Sequence, residues 1–248
     1  MTMVYPIYDG EVPYLTTDQM REVDRAMIED YRIELIQMME NAGRNLAHLA
    51  RERFLEGDPR GKQVVVLAGT GGNGGGVLVC ARRLYNYGAL VMVYVTRPMD
   101  EFTPVPHHQY DILNRMGVPI NHARALETEI RPDLIVDGII GYSLKGAPYG
   151  EAGDLIRWAN ASPAPVLSLD APSGIDTTSG TVFDPAIEAT ATMTLALPKE
   201  GLRTPGISRY VGELYLADIS VPTELYAEPA LGLRVPPIFA QGDIVRLR

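Results

Sequence analysis

Two kinds of apolar pattern alternate along this chain. Short unbroken runs rich in β-branched residues, VVVLA at 64–68, LVMVYVT at 90–96, LIV at 134–136 and PVLSL at 165–169, suit strands buried on both faces of a parallel sheet. Between them, apolar residues recur every three or four positions. Met20, Val23 and Met27 mark one helix, with a cap offered by Leu15-Thr16-Thr17-Asp18. Leu35, Met38, Met39, Ala42, Leu46 and Leu49 mark a second, over about 33–54. Further strands are predicted at 190–197 and 211–217, and further helices at 104–116 and 154–160. The alternation predicts an α/β fold, a three-layer α/β/α sandwich on a Rossmann-like, mostly parallel sheet. One domain is expected over 1–248, with the motifs inside about 15–225. The proline-rich tail from Glu224 has no clear period and is expected to lie on the surface as loop and short strand.

Composition narrows the function. A net charge of −9 and a pI near 5.0 disfavour a general nucleic-acid binder. A single cysteine, Cys80, on the apolar face of a helix excludes a disulfide framework and reads as a packed hydrophobe. The first residues lack the basic start and apolar core of a leader, and no apolar run approaches the ~18 residues of a membrane span. A cytoplasmic protein without membrane contact is expected.

The strand at 63–68 runs into glycines 69, 71, 72, 74, 75 and 76, and then into helical spacing at Leu78, Cys80, Ala81 and Leu84. Such a strand, glycine turn and helix presents free N–H groups to an anion, and glycine lets it come close. No Gly-Lys-Ser/Thr ends the loop, and no tidy G-x-G-x-x-G with an acidic partner is present, so neither a P-loop NTPase nor an ordinary dehydrogenase is indicated. A plain structural turn is the alternative. Two predicted strands end in aspartates, Asp137 and Asp170, where open α/β sheets bind ligands; helix capping is the competing role for each. Met39-Glu40-Asn41-Ala42-Gly43 costs helix stability unless it touches something, a solvated face being the alternative. His107 and His108 are adjacent, cannot share one helical face, and do not suggest a metal pair.

Six stretches in order, Met39–Gly43, Gly69–Leu84, Val136–Gly141, Leu169–Gly174, Leu197–Gly201 and Gly212–Pro222, closely resemble the YjeF N-terminal domain family, the NAD(P)H-hydrate epimerases. The resembling patterns are M-E-N-A-G, G-x-G-N-N-G-G-D-G-L-V-x-A-R-x-L, V-D-A-x-x-G, V-D-x-P-S-G, A-P-K-x-G and G-x-x-x-x-A-D-I-x-x-P. The resemblance implies repair of reduced nicotinamide dinucleotides hydrated at carbon 6, by interconversion of their R and S epimers. A separate ATP- or ADP-dependent dehydratase would then restore NAD(P)H, and a homodimer is expected.

Carried over one residue at a time, the resemblance places the dinucleotide at Gly72, Asn73, Gly74, Gly75 and Gly76. A second segment, Gly141, Tyr142, Ser143, Leu144, Lys145, Gly146 and Ala147, would close over the diphosphate. It implies a potassium ion, one per subunit, ligated by Asn73, Asp137 and Ser173. Asp170 would contact the hydrated ring as the acid/base group, and Lys199 could assist it. Asp170→Asn is expected to abolish interconversion and to leave the fold intact. Three loop positions depart from the pattern: Gly72 stands for an asparagine, Gly76 for an aspartate and Val77 for a glycine. The rival reading is a weakened or inactive member acting as a nucleotide-binding or dimerising scaffold.

Overall fold

The computed structural model describes residues 5–127 and 129–247. Its strands are β1 (Ile7–Tyr8), β2 (Gln63–Ala68), β3 (Leu90–Val95), β4 (Ile120–His122), β5 (Leu134–Gly138), β6 (Val166–Leu169), β7 (Ala191–Leu195), β8 (Glu213–Ala217) and β9 (Ile244–Leu247). The helices are α1 (Thr17–Glu29), α2 (Leu35–Leu49), α3 (Gly72–Asn86), α4 (Pro104–Arg115), α5 (Gly150–Ala161), α6 (Ser208–Val211) and α7 (Thr223–Ala227). One sheet runs in the order β1-β9-β8-β7-β6-β5-β2-β3-β4, parallel throughout except where β9 meets β8.

Burial on both faces explains the unbroken apolar runs. Val64, Val66 and Ala68 of β2 pack with Leu46, Leu49, Leu78 and Leu84 of α2 and α3, while Val65 and Leu67 pack with Leu155 and Ile156 of α5. Helices therefore cover both faces, as the pattern predicts. From β2 the chain first adds β3 and β4 on one side, then returns to place β5 against the other side of β2. That reversal is the switch point at which open α/β sheets bind ligands outside the carboxyl ends of their strands.

Thr16 caps α1, its hydroxyl accepting from Gln19 N at 3.2 Å and Gln19 returning the bond to Thr16 N. The Met39–Gly43 stretch is not a solvated face. Glu40 pairs with Arg82 at 2.6 Å and accepts from Gln109 at 3.1 Å. A Cβ on Gly43 would meet the Gly76 carbonyl at 2.5 Å and overlap Val79, so glycine here is what lets α2 lie against α3. The tail carries the expected short strand, β9, but it is packed more deeply than expected. Leu225 and Tyr226 of α7 are buried, and β9 joins the sheet between β8 and β1. Ile244, Val245 and Leu247 cover an edge that β8 would otherwise expose.

Candidate active site

The N-terminus of α3 has no side-chain cap. Its N-cap is Gly71, so the first N–H groups of the helix face outward unclaimed by any side chain, a natural anion seat. Gly69 lies directly against the Ile139 carbonyl, leaving no room for a Cβ and setting the loop on the end of β5. Asn73, in the first turn, donates from Nδ2 to the Leu169 carbonyl at 3.0 Å and packs on Gly141, where a Cβ would come within 3.0 Å of its Cγ. Asn73 thus ties the loop to the ends of both β5 and β6.

Beneath this loop Asp137 is fully buried. Its carboxylate accepts four hydrogen bonds: from Ser173 Oγ at 2.6 Å, Ser168 Oγ at 2.8 Å, Ser173 N at 3.0 Å and Ile139 N at 3.2 Å. Burial pushes its carboxyl above the ordinary aspartate range, and these donors pull it back. No ion pair reaches it among the described residues. Ser173 Oγ also lies 2.9 Å from Ile140 N and 3.1 Å from the Ile140 carbonyl. The carboxylate of Asp137, the hydroxyl of Ser173 and the carbonyl of Ile140 meet here with no cationic side chain among them, a set of oxygens that fits a hard cation such as potassium in donor type. Nitrogen and sulfur ligands are absent from this group.

Asp170 follows β6 with φ of 65°, a conformation that L residues rarely adopt. The turn is closed by Ala171 N donating to the Leu169 carbonyl at 2.8 Å, and Asp170 N donates to the Met193 carbonyl at 2.7 Å. Strain of this kind costs about 1–3 kcal/mol and is retained where function holds it. The Asp170 carboxylate accepts from Lys199 Nζ, whose other partners are the Leu195 carbonyl at 2.9 Å and Thr194 Oγ1 at 3.3 Å. Lys199 is 0% exposed and Asp170 4%.

Asp170 opens into a cavity of about 690 Å³. Gly72, Asn73, Gly74, Gly76 and all seven residues of Gly141–Ala147 share its wall. Gly75 does not, facing Met39 and Pro106 instead. Asp137, Ser173 and Lys199 also stand outside the wall: the first two form a floor under it, and Lys199 stands behind Asp170. Of the four side chains expected to meet around a cation and a dinucleotide, Asn73 and Asp170 reach the cavity while Asp137 and Ser173 brace it from below. Residues not expected at the site from the sequence also face the cavity, among them Asp24, Met20 and Met38 at the Asp170 end and Thr96 and Arg97 beyond β3. Asp24 carried a readable signal, because it falls within the buried Met20, Val23, Met27 stripe of α1, where a carboxylate is out of place.

Residues 35–201 match the family described as YjeF-related protein N-terminus. The chain belongs to the YjeF N-terminal family. An NAD(P)H-hydrate epimerase of Dehalogenimonas lykanthroporepellens is 40% identical, with 100% of this chain and 98% of that protein aligned. One of Rhodopirellula baltica is 33% identical over 87% of each. A bifunctional NAD(P)H-hydrate repair enzyme of Moorella thermoacetica is 33% identical, and there the aligned part is 86% of this chain but 41% of the relative. The crystal structure of a yeast protein, ynu0, superposes with a TM-score of 0.80 at 25% identity, covering 95% of this chain and 100% of the other.

Two of the three departures from the YjeF pattern are repacked. A Cβ on Gly76 would lie 2.6 Å from Leu169 Cδ2, and position 169 is a valine in the pattern: the larger Leu169 fills the space that the smaller residue 76 leaves. A Cβ on Gly138 would overlap both methyls of Val77, and position 138 is an alanine in the pattern: bulk has crossed from one side of the contact to the other. Gly72 alone is uncompensated, with only Met39 Cε near, at 3.8 Å. Leu169 and Val77 keep these two contacts filled, but neither replaces the carboxylate or the amide that the pattern carries at 76 and 72.

Proposed function

We propose that this chain is an NAD(P)H-hydrate epimerase that interconverts the R and S forms of NAD(P)HX. The observation that carries the reading is the buried Asp170–Lys199 pair at one end of a cavity whose wall also holds the bare N-terminus of α3. The diphosphate would lie on that helix end and under Gly141–Ala147, with exposed Lys145 adding charge. The ring would then reach Asp170, and the adenosine would extend toward Thr96 and Arg97. From β6 to β3 the sheet crosses three strand spacings, roughly 14 Å, which suits an extended dinucleotide.

In this reading the ring nitrogen lone pair expels the C6 hydroxyl, leaving a flat iminium that water re-enters from the other face. Asp170 passes the departing oxygen a proton drawn from Lys199, a role typically worth about 10²–10⁴-fold. Lys199 stands behind it, its Nζ hydrogen-bonded to the carboxylate. Asn73, Asp137 and Ser173 would hold potassium, which when bound would supply positive charge beside the buried Asp137 and stiffen the loops meeting there. The homodimer, the separate dehydratase and action in a soluble compartment complete the proposal. No helix among the described residues is long and apolar enough to cross a membrane.

The test is R/S equilibration of a single NADHX or NADPHX epimer, followed by NMR or chromatography, with potassium present and replaced by a larger organic cation. The expected result is equilibration far above the spontaneous rate, faster with potassium. Tight binding with only the spontaneous rate would select the scaffold reading instead.

A further inference from the structure

We infer that Asp24, on α1, is a second proton-transfer residue of this site and serves the face of the substrate ring opposite Asp170. The inference deepens the epimerase reading and rests on it. Epimerisation through a planar iminium needs the hydroxyl to leave one face and water to enter the other. A carboxyl fixed beside one face can assist departure or return, but not both unless the ring turns over inside the cavity. Two carboxyls carried by different layers of the fold meet both needs.

Asp24 and Asp170 are such a pair. Both line the cavity, Asp170 from the end of the sheet and Asp24 from a helix above it. The start of α1 is stitched to the segment that carries Lys199, through Leu15 N to the Pro198 carbonyl at 2.8 Å and Glu200 N to the Leu15 carbonyl at 2.9 Å. Asp24 lies seven residues beyond the first residue of the helix, a rise of roughly 10 Å. Its Oδ2 accepts from the Tyr142 hydroxyl, its one hydrogen-bond partner among the described residues, and no ion pair holds it. Oδ1 is left for the cavity. Burial pushes the Asp24 carboxyl above its ordinary range, while Tyr142 and Lys199 pull it down. Burial and the neighbouring Asp24 likewise push the Tyr142 phenol up, so it stays a donor and fixes the carboxylate's orientation. A carboxylate kept on the buried side of a helix without a cation works against folding, as functional groups often do.

The step balances without any oxidant. The C6–O bond breaks with its electron pair on oxygen, which takes a proton passed from the Lys199 ammonium through the Asp170 carboxylate and leaves as water, while the nitrogen lone pair forms C6=N. Water then adds its oxygen to C6 from the other face, its proton passes to Asp24, and the C=N pair returns to nitrogen. The opposite epimer uses the two carboxyls in reverse order.

Asp24→Asn keeps an acceptor for Tyr142 and removes the proton-transfer group. Each single epimer is incubated in ¹⁸O-water with wild type, Asp24→Asn and Asp170→Asn, and both interconversion and oxygen exchange are followed. Wild type is expected to label both epimers. Asp24→Asn is expected to slow interconversion about 10²–10⁴-fold, with KM little changed and an unfolding temperature no lower than that of wild type. The epimer whose hydroxyl faces Asp170 should still exchange its oxygen, whereas the other should not. Unchanged interconversion in Asp24→Asn, or equal loss of exchange from both epimers, overturns the assignment. A wild-type chain that does not interconvert the epimers overturns the epimerase reading itself, and this inference with it.

Discussion

Asp170→Asn is expected to lose epimer interconversion, by about 10²–10⁴-fold, and to lose stability with it. The second effect reverses the expectation from sequence that the fold would survive untouched. Lys199 is completely buried, and the one ion pair it forms among the described residues is with Asp170. Removing one member of a buried pair strands the other, typically at a cost of roughly 3–5 kcal/mol. For a chain of 248 residues, each kcal/mol is about 2–4 °C of unfolding temperature, so a fall of about 6–20 °C is expected. Adding Lys199→Met should return most of that loss, because the stranded ammonium goes with it, and should return no activity. Thermal unfolding of the two single variants and the double variant, beside the epimer assay, separates the roles. A wild-type unfolding temperature for Asp170→Asn would show that no buried pair forms, and a wild-type rate would remove Asp170 from the chemistry.

Asp137→Ala is expected to fail altogether as a folded protein. It would leave Ser168 Oγ and the N–H groups of Ser173 and Ile139 buried without their acceptor, each costing about 1–3 kcal/mol, against a total stability of about 5–15 kcal/mol for an ordinary domain. Asp137→Asn is the informative variant. The hydroxyls of Ser168 and Ser173 can rotate to accept from the new amide, but the N–H groups of Ser173 and Ile139 cannot turn into acceptors. The variant should therefore fold with a lowered unfolding temperature. If potassium occupies the proposed site, it raises the wild-type unfolding temperature as its concentration exceeds the dissociation constant, and Asp137→Asn loses that increment. A full potassium response in the variant would place the ion elsewhere.

The glycine loop, the central parallel strands and the two strand-end aspartates were legible because each is a local pattern: an apolar run, a break, a carboxylate at the break. What escaped notice was short or non-local. β4 has three residues and β1 two, too few to show a period, and the short strand expected in the tail finds its place only once β8 offers it an edge. The Asp170–Lys199 contact joins residues 29 apart, and no spacing rule announces it. The place of Asp137 at a strand end is visible in the sequence, but its complete burial is not. The two serines and two N–H groups that enclose it arrive from β6, from the segment after β5 and from the turn after β6. Asp24 was overlooked because it fits no motif, although a carboxylate on an apolar stripe is itself a signal.

The contact between Val77 and Gly138 restricts the order in which sequences of this kind can drift. Gly138→Ala cannot come first, because the new methyl would overlap both branches of Val77. Val77→Gly can come first, since it opens a void that the neighbouring side chains tolerate at some loss of stability. Taken one at a time, Val77→Gly followed by Gly138→Ala passes through a loosened intermediate with glycine at both positions. The same mutation at 138 is harmless or harmful according to which side of that intermediate it occurs on.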